Sequence, residues 1–177
     1  MKRPPSGIWC LWKPPGVSSG AVVNDFRAAH AGPWPLKVSH GGVLDPFAVL
    51  VLVGAANRLF EGLHEAPKRY VAGVVYGVET DTGDGGGREV SRGDAGVATA
   101  ERIDAALKTF LGWTQQTPPA TSNKRVDGER AWVRAHRGEV VSLPSQRVFC
   151  QSARRLDDGS LELVVRGGFY VRSLVSD

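Results

Sequence analysis

Hydrophobic and polar positions along the chain mark a series of short elements. Gly7 to Trp12 reads as a short strand, ended by Lys13-Pro14-Pro15-Gly16. Ser18 or Ser19 then caps a helix to about His30, with Val22, Val23 and Phe26 at helical spacing. Gly32-Pro33-Trp34-Pro35 breaks that helix, and Lys37 to Pro46 reads as a loop or short strand. Ala48 to Ala56 is apolar enough for a buried helix or a buried strand, and periodicity does not decide between them. Lys68 to Val78 alternates, placing Tyr70, Ala72, Val74 and Tyr76 on one face of a strand. Asp81 to Gly87 is a loop. Thr99 caps a helix carrying Ile103, Leu107 and Phe110, closed by Gly112. A shorter helix around Glu129 to Arg137 ends at Gly138, and residues 147–156 and 160–166 form a hairpin around Asp157-Asp158-Gly159. Tyr170 to Val175 begins a further element. Strands and helices mix without strict alternation, which predicts an α+β fold with a largely antiparallel or mixed sheet.

Composition narrows the setting. With 177 residues, 42% of them apolar and 23% charged, the chain has the makeup of one globular domain with a real core. Its longest apolar run, Phe47 to Val53, is far short of a membrane span. Prolines interrupt the N-terminus before a signal-peptide core can form, so a cytoplasmic protein is expected. Cys10 and Cys150 lack a CxxC partner and read as two buried thiols of a reducing compartment. The four histidines share no metal-ligand spacing, so no metal site is expected. A net charge of +4 leans toward an anionic partner, and basic residues cluster at Lys68-Arg69, Lys124-Arg125, Arg130/Arg134/Arg137 and Arg154-Arg155.

One candidate for chemistry is His40-Gly41-Gly42-Val43-Leu44-Asp45-Pro46, a carboxylate between a glycine-bracketed loop and a proline. On its local pattern alone Asp45 reads as a helix-capping aspartate before a proline at the first helical position. Several blocks around it change that reading. They are Trp12-Lys13-Pro14-Pro15-Gly16-Val17-Ser18-Ser19, Lys37 to Pro46, and Lys68-Arg69-Tyr70 with Gly77 to Asp84. Pro118-Pro119 through Lys124, Gly128 and Arg130 follows, and then Gly168-Phe169-Tyr170-Val171-Arg172-Ser173-Leu174. In this order they resemble the bacterial tRNA pseudouridine-55 synthase family, the TruB type, over essentially the whole chain. The first two blocks are shared with eukaryotic and archaeal relatives, and Thr80-Asp81-Thr82-Gly83-Asp84 favours the bacterial tRNA type.

The resemblance implies a mixed, mainly antiparallel sheet with flanking helices and a central RNA-binding cleft, the pseudouridine synthase fold. It implies isomerisation of uridine to pseudouridine in the T-loop of tRNA, by base flipping and a carboxylate nucleophile. Asp45 matches that nucleophile, forming an adduct with base or ribose. Arg172 matches an active-site arginine that keeps the carboxylate ionised and oriented. Tyr70 matches the tyrosine that stacks on the target base and assists proton removal from its C5. Tyr170 matches a second pocket aromatic, Lys13 a lysine supporting the active-site loop or a phosphate, and His40 a histidine that fills the space of the flipped base. Gly42 belongs to the same substrate-binding loop. Lys68, Arg69, Lys124 and Arg125 are candidates for neutralising RNA phosphates. An isomerisation needs no cofactor. The expected partner is the T-arm stem-loop of tRNA, and the expected state is a monomer.

Departures from the family pattern carry their own expectations. The apolar segment after Asp45 is about three residues short, nearly one helical turn, so packing behind Asp45 is expected to differ. Pro118-Pro119-Ala120-Thr121-Ser122-Asn123-Lys124 lacks the family's tyrosine, and Trp132 replaces another aromatic. The chain reads as a catalytic domain over residues 1–177, incomplete at its C-terminus and without the family's C-terminal RNA-binding domain. An alternative is a catalytically weak or inactive protein that binds or folds tRNA on the same scaffold. A basic structural or ribosome-associated domain is a third reading. The glycine-rich stretch Thr80 to Gly87 lacks the phosphate-loop pattern and reads as a turn between strands.

Overall fold

The computed structural model describes residues 3–14, 17–41 and 48–176. It falls into two compact units, Met1–Ala66 and Pro67–Asp177.

The first unit contains strand β1 (Gly7–Trp12), helix α1 (Ser19–Ala29), strands β2 (Val38–His40) and β3 (Ala48–Val53), a 3₁₀ segment (Gly54–Leu59) and helix α2 (Phe60–Glu65). Ser18 caps α1 by accepting the Ala21 N–H at 3.1 Å. The strands form an antiparallel sheet in the order β1-β3-β2. Ala48–Val53 is therefore strand, with Val49, Val51 and Val53 in the core against Val23 and Phe26 of α1. The helical-turn consequence expected for a segment three residues short does not apply here. In a strand, an odd shift would reverse which side chains face the core.

The second unit holds β4 (Lys68–Ala72), β5 (Val78–Thr80), β6 (Glu89–Arg92), α3 (Ala100–Thr109) and β7 (Gly112–Gln116). After these come β8 (Arg125–Val126), β9 (Glu129–Arg130), α4 (Ala131–His136), β10 (Gln146–Arg155), β11 (Leu161–Val165) and α5 (Val171–Ser176). Its main sheet is antiparallel in the order β4-β11-β10-β7, with β5-β6 and β8-β9 as two-stranded ribbons. Thr99 caps α3, and Gly112, two residues beyond the helix's C-cap Phe110, takes φ +81° at the start of β7. Leu107 of α3 joins Val148, Cys150, Leu161, Leu163 and Val165 in one core.

The α+β class with mainly antiparallel pairing is what the chain adopts, and every ladder among the described residues is antiparallel. The structure differs from the sequence reading in the extent of one strand and the burial of one thiol, among other details. The strand expected to run from Lys68 to Val78 ends at Ala72, because β11 offers five partners and the last pair is Leu161 with Ala72. Of the two thiols expected to be buried, Cys150 is, but Cys10 is exposed on the outward-facing side of β1.

Candidate active site

Asp45 and Gly42 lie outside the described residues, but the strands on either side of their segment are defined. β2 pairs with β3 through His40 opposite Val51, and the Gly41 N–H donates to the Leu50 carbonyl at 2.7 Å. The ladder thus pairs the described residues as far as Gly41 on one side and from Leu50 on the other. His40 closes β2 half-buried, and its Nδ1 is buried with no hydrogen-bond partner among the described residues. Lys13, just after β1, is only 4% exposed, and its ammonium donates to the Val17 carbonyl at 2.8 Å. A buried ammonium must be met by acceptors, so Lys13 ties down the turn that follows β1.

In the second unit, three sequence-distant blocks meet at Arg172. Its Nη1 donates to Thr121 Oγ1 at 2.9 Å, to the Thr82 carbonyl at 3.0 Å and to Asp84 Oδ2 at 3.2 Å. The side chain is one-quarter exposed, so this guanidinium is anchored but accessible. Beside it lies a cavity of about 170 Å³ lined by Thr80 to Gly83, Pro119 to Thr121, Arg172, Ser173 and Ser176. That volume is below the range usual for small-molecule sites.

The segment Gly168 to Ser173 is held by side chains from neighbouring strands. Gln116, 3% exposed, accepts the Tyr170 N–H and donates to the Tyr170 carbonyl, both at 2.8 Å. Ser173 Oγ donates to the Thr117 carbonyl at 2.7 Å, and Gln146 donates to the Gly168 carbonyl at 2.6 Å. Burial pushes the Tyr170 hydroxyl above its ordinary pKa, with the Ser122 hydroxyl and the Arg172 charge opposing. Tyr70 sits mid-strand on β4 opposite Leu163 and packs on the core that buries Phe169 and Leu174.

The four basic residues expected along the RNA differ in setting. Lys68 is half-buried, and desolvation pushes its ammonium pKa down. Arg69 points outward but is paired to Glu162, which also binds Arg154 at 2.6 Å. Lys124 is exposed, and Arg125 is exposed with its guanidinium on the Gly128 carbonyl. Trp132 on α4 is also exposed and meets His136 edge to face. No group of three histidine, cysteine or acidic side chains suited to a metal ion occurs among the described residues.

Sequence reasoning missed three contributors. Asp84 was read as part of a turn, yet it is a carboxylate partner of Arg172, 88 residues away. Thr121, in the block that departs from the family pattern, supplies another acceptor. Gln116 belongs to no motif, and no local signal points to it.

Comparison with known proteins adds to this geometry. Residues 30–171 match the family described as TruB family pseudouridylate synthase, N-terminal domain. The tRNA pseudouridine synthase B of Rhodopirellula baltica is 38% identical over 98% of this chain and 53% of that protein. Proteins of the same name from Desulfotalea psychrophila and Paracoccus denitrificans are 35% and 39% identical, over 74% and 56% of their lengths. The chain thus spans between about half and three quarters of these relatives. Among solved structures, a Cbf5-Nop10-Gar1 complex gives a TM-score of 0.58 at 24% identity, over 96% of this chain and 42% of the other. The archaeal box H/ACA sRNP Nop10-Cbf5 complex gives 0.55 at 23% identity, over 96% and 41%. At that identity the likeness is one of fold.

Proposed function

The chain belongs to the TruB family of pseudouridylate synthases, and from that premise we propose that it isomerises uridine to pseudouridine in tRNA. The site is the T-loop uridine at position 55, and the protein acts as a cytoplasmic monomer on the T-arm stem-loop. The observation that carries the reading is the anchored Arg172, where the blocks of Thr82-Asp84, Thr121 and Tyr170-Arg172 meet.

A uracil stacked within an RNA loop is out of reach of a protein carboxylate. The enzyme flips it out, at a cost of a few kcal/mol. Tyr70 supplies a stacking face that offsets about 1–3 kcal/mol of that cost. Asp45 attacks as the nucleophile, and Arg172 matches the family's active-site arginine, whose charge keeps such a carboxylate ionised. The bond from the ribose to N1 breaks, a bond from the ribose to C5 forms, and the bond made to the Asp45 carboxylate breaks again to free it. A proton leaves C5, assisted by Tyr70, and N1 gains one. Every atom is retained, so the reaction is balanced without a redox partner. Lys13 steadies the loop that follows β1, His40 occupies the place vacated by the base, and Tyr170 walls the pocket. Lys124 and Arg125, exposed at the start of the β8-β9 ribbon, meet phosphates. Arg69, already tied to Glu162, and half-buried Lys68 contribute less.

Tritium release from C5-labelled uridine in a T-arm stem-loop tests the reading. The native chain should release tritium, and Asp45→Asn should abolish release while leaving the fold and RNA binding intact. RNA binding by a folded native chain without release would overturn the enzymatic reading.

A further inference from the structure

The four-stranded sheet of the second unit has one face packed on its core and one turned outward. Register fixes the outward side chains. On β7 and β10 they include Trp113 and Phe149, which lie directly opposite each other. The two rings meet edge to face at 5.1 Å between centroids. Arg147 lies over the Trp113 ring at 4.4 Å and Arg166 over the Phe149 ring at 4.9 Å. The Arg166 N–H donates to the Phe149 carbonyl at 3.0 Å, which fixes that arginine at the end of the row. Trp113 is 52% exposed, and both arginines are exposed.

These two guanidiniums stand apart from the other arginines of the unit. Arg69, Arg92, Arg134, Arg137 and Arg154 pair with carboxylates, and Arg172 is anchored as described. Neither Arg147 nor Arg166 makes a side-chain hydrogen bond or ion pair among the described residues; each has an aromatic ring as its neighbour. Their N–H donors remain available. Among the strand residues of this outward face, Glu162 is the one carboxylate, and Arg69 and Arg154 already bind it. The row is therefore positive and aromatic.

We infer that this outward row of Arg147, Trp113, Phe149 and Arg166 is a second RNA-contact surface, one that takes an unpaired stretch of polynucleotide. The exposed Trp113 ring, beside a half-buried Phe149 ring, offers a stacking plane to bases, and the free guanidinium donors match phosphate oxygens. An acidic polypeptide would satisfy the charge but would leave the rings unused. Nothing on the row reads base edges in a fixed pattern, so binding is tolerant of sequence. The inference shares with the proposed function only that the ligand is RNA, and it does not require Asp45 to act.

Fluorescence anisotropy of a short, labelled oligoadenosine with the full chain at low salt tests it. Trp113→Ala should weaken binding about tenfold, while Trp113→Phe, which keeps a ring, should retain most of it. The double substitution Arg147→Gln with Arg166→Gln should weaken binding about tenfold as well. It removes exposed groups with no hydrogen bonds, so it keeps the test sharp if Trp113→Ala fails to fold. Asp45→Asn should bind the oligonucleotide like the native chain, whatever happens to tritium release. Unchanged affinity in the folded arginine variant would overturn the inference. So would displacement of the oligonucleotide by polyglutamate at equal length and concentration, which would assign the face to an acidic polypeptide.

Discussion

Arg172 reaches Thr82, Asp84 and Thr121 with one end of a long, planar, delocalised guanidinium, a length and shape that the shorter lysine side chain does not reproduce. Arg172→Lys should therefore lower kcat about 100-fold in the tritium-release assay, the scale seen when one preorganised donor is lost, with KM little changed. Cysteine chemistry gives a second residue-scale expectation. Cys150 is fully buried, and desolvation raises its thiol pKa, whereas Cys10 is exposed. A maleimide at neutral pH should modify Cys10 in the native protein and reach Cys150 only after denaturation; two fast-reacting thiols would contradict the structure. At this scale the sequence was informative about identity and silent about partnership. The blocks named Tyr70, Tyr170 and Arg172, but no spacing could reveal that Asp84 and Thr121 accept from Arg172.

Elements were legible where their apolar positions meet a core. The caps at Ser18 and Thr99 and the hairpin around Gly159 stand where their local chemistry puts them. β4 was over-extended because the alternation through Val74 and Tyr76 continues beyond the last available partner on β11. β7 was missed for the opposite reason. Its sequence, Gly112-Trp113-Thr114-Gln115-Gln116, turns a tryptophan outward and Gln116 inward, an inversion of the usual pattern. β6 is exposed along its whole length and has no buried face to leave a period. The inward glutamine supplies the test at this scale. Gln116→Ala strands a partly buried N–H and carbonyl of Tyr170, which should destabilise the protein by about 1–2 kcal/mol. Urea unfolding should show a lower midpoint with an unchanged slope.

Across the whole molecule, charge sets both stability and binding. Arginines hold Glu129, Glu139 and Glu162 below the usual carboxylate range, with Arg137, Arg134 and Arg154 respectively the main cause. Their contribution is present above about pH 4.3 and is lost as pH falls through the depressed values. Burial raises the hydroxyls of Tyr76 and Tyr170. Their contribution is present below about pH 10, and that of the buried Cys150 thiol below about pH 8.5; each is lost as pH rises through the raised values. Thermal midpoints should form a plateau between those limits and fall on both sides. For binding, Lys124→Ala with Arg125→Ala should flatten the slope of log affinity for the T-arm against log salt by about 1.5–2. The site also has an order in time. The bonds from Gln116 and Ser173 that fix the Tyr170–Arg172 segment join residues 54 and 56 apart in the chain. Such long closures are entropically slow, so β7 must already be seated before they can form. Refolding should recover bulk sheet structure first and enzymatic competence last. In a chain emerging from a ribosome, the arginine joins a scaffold that has been waiting for it.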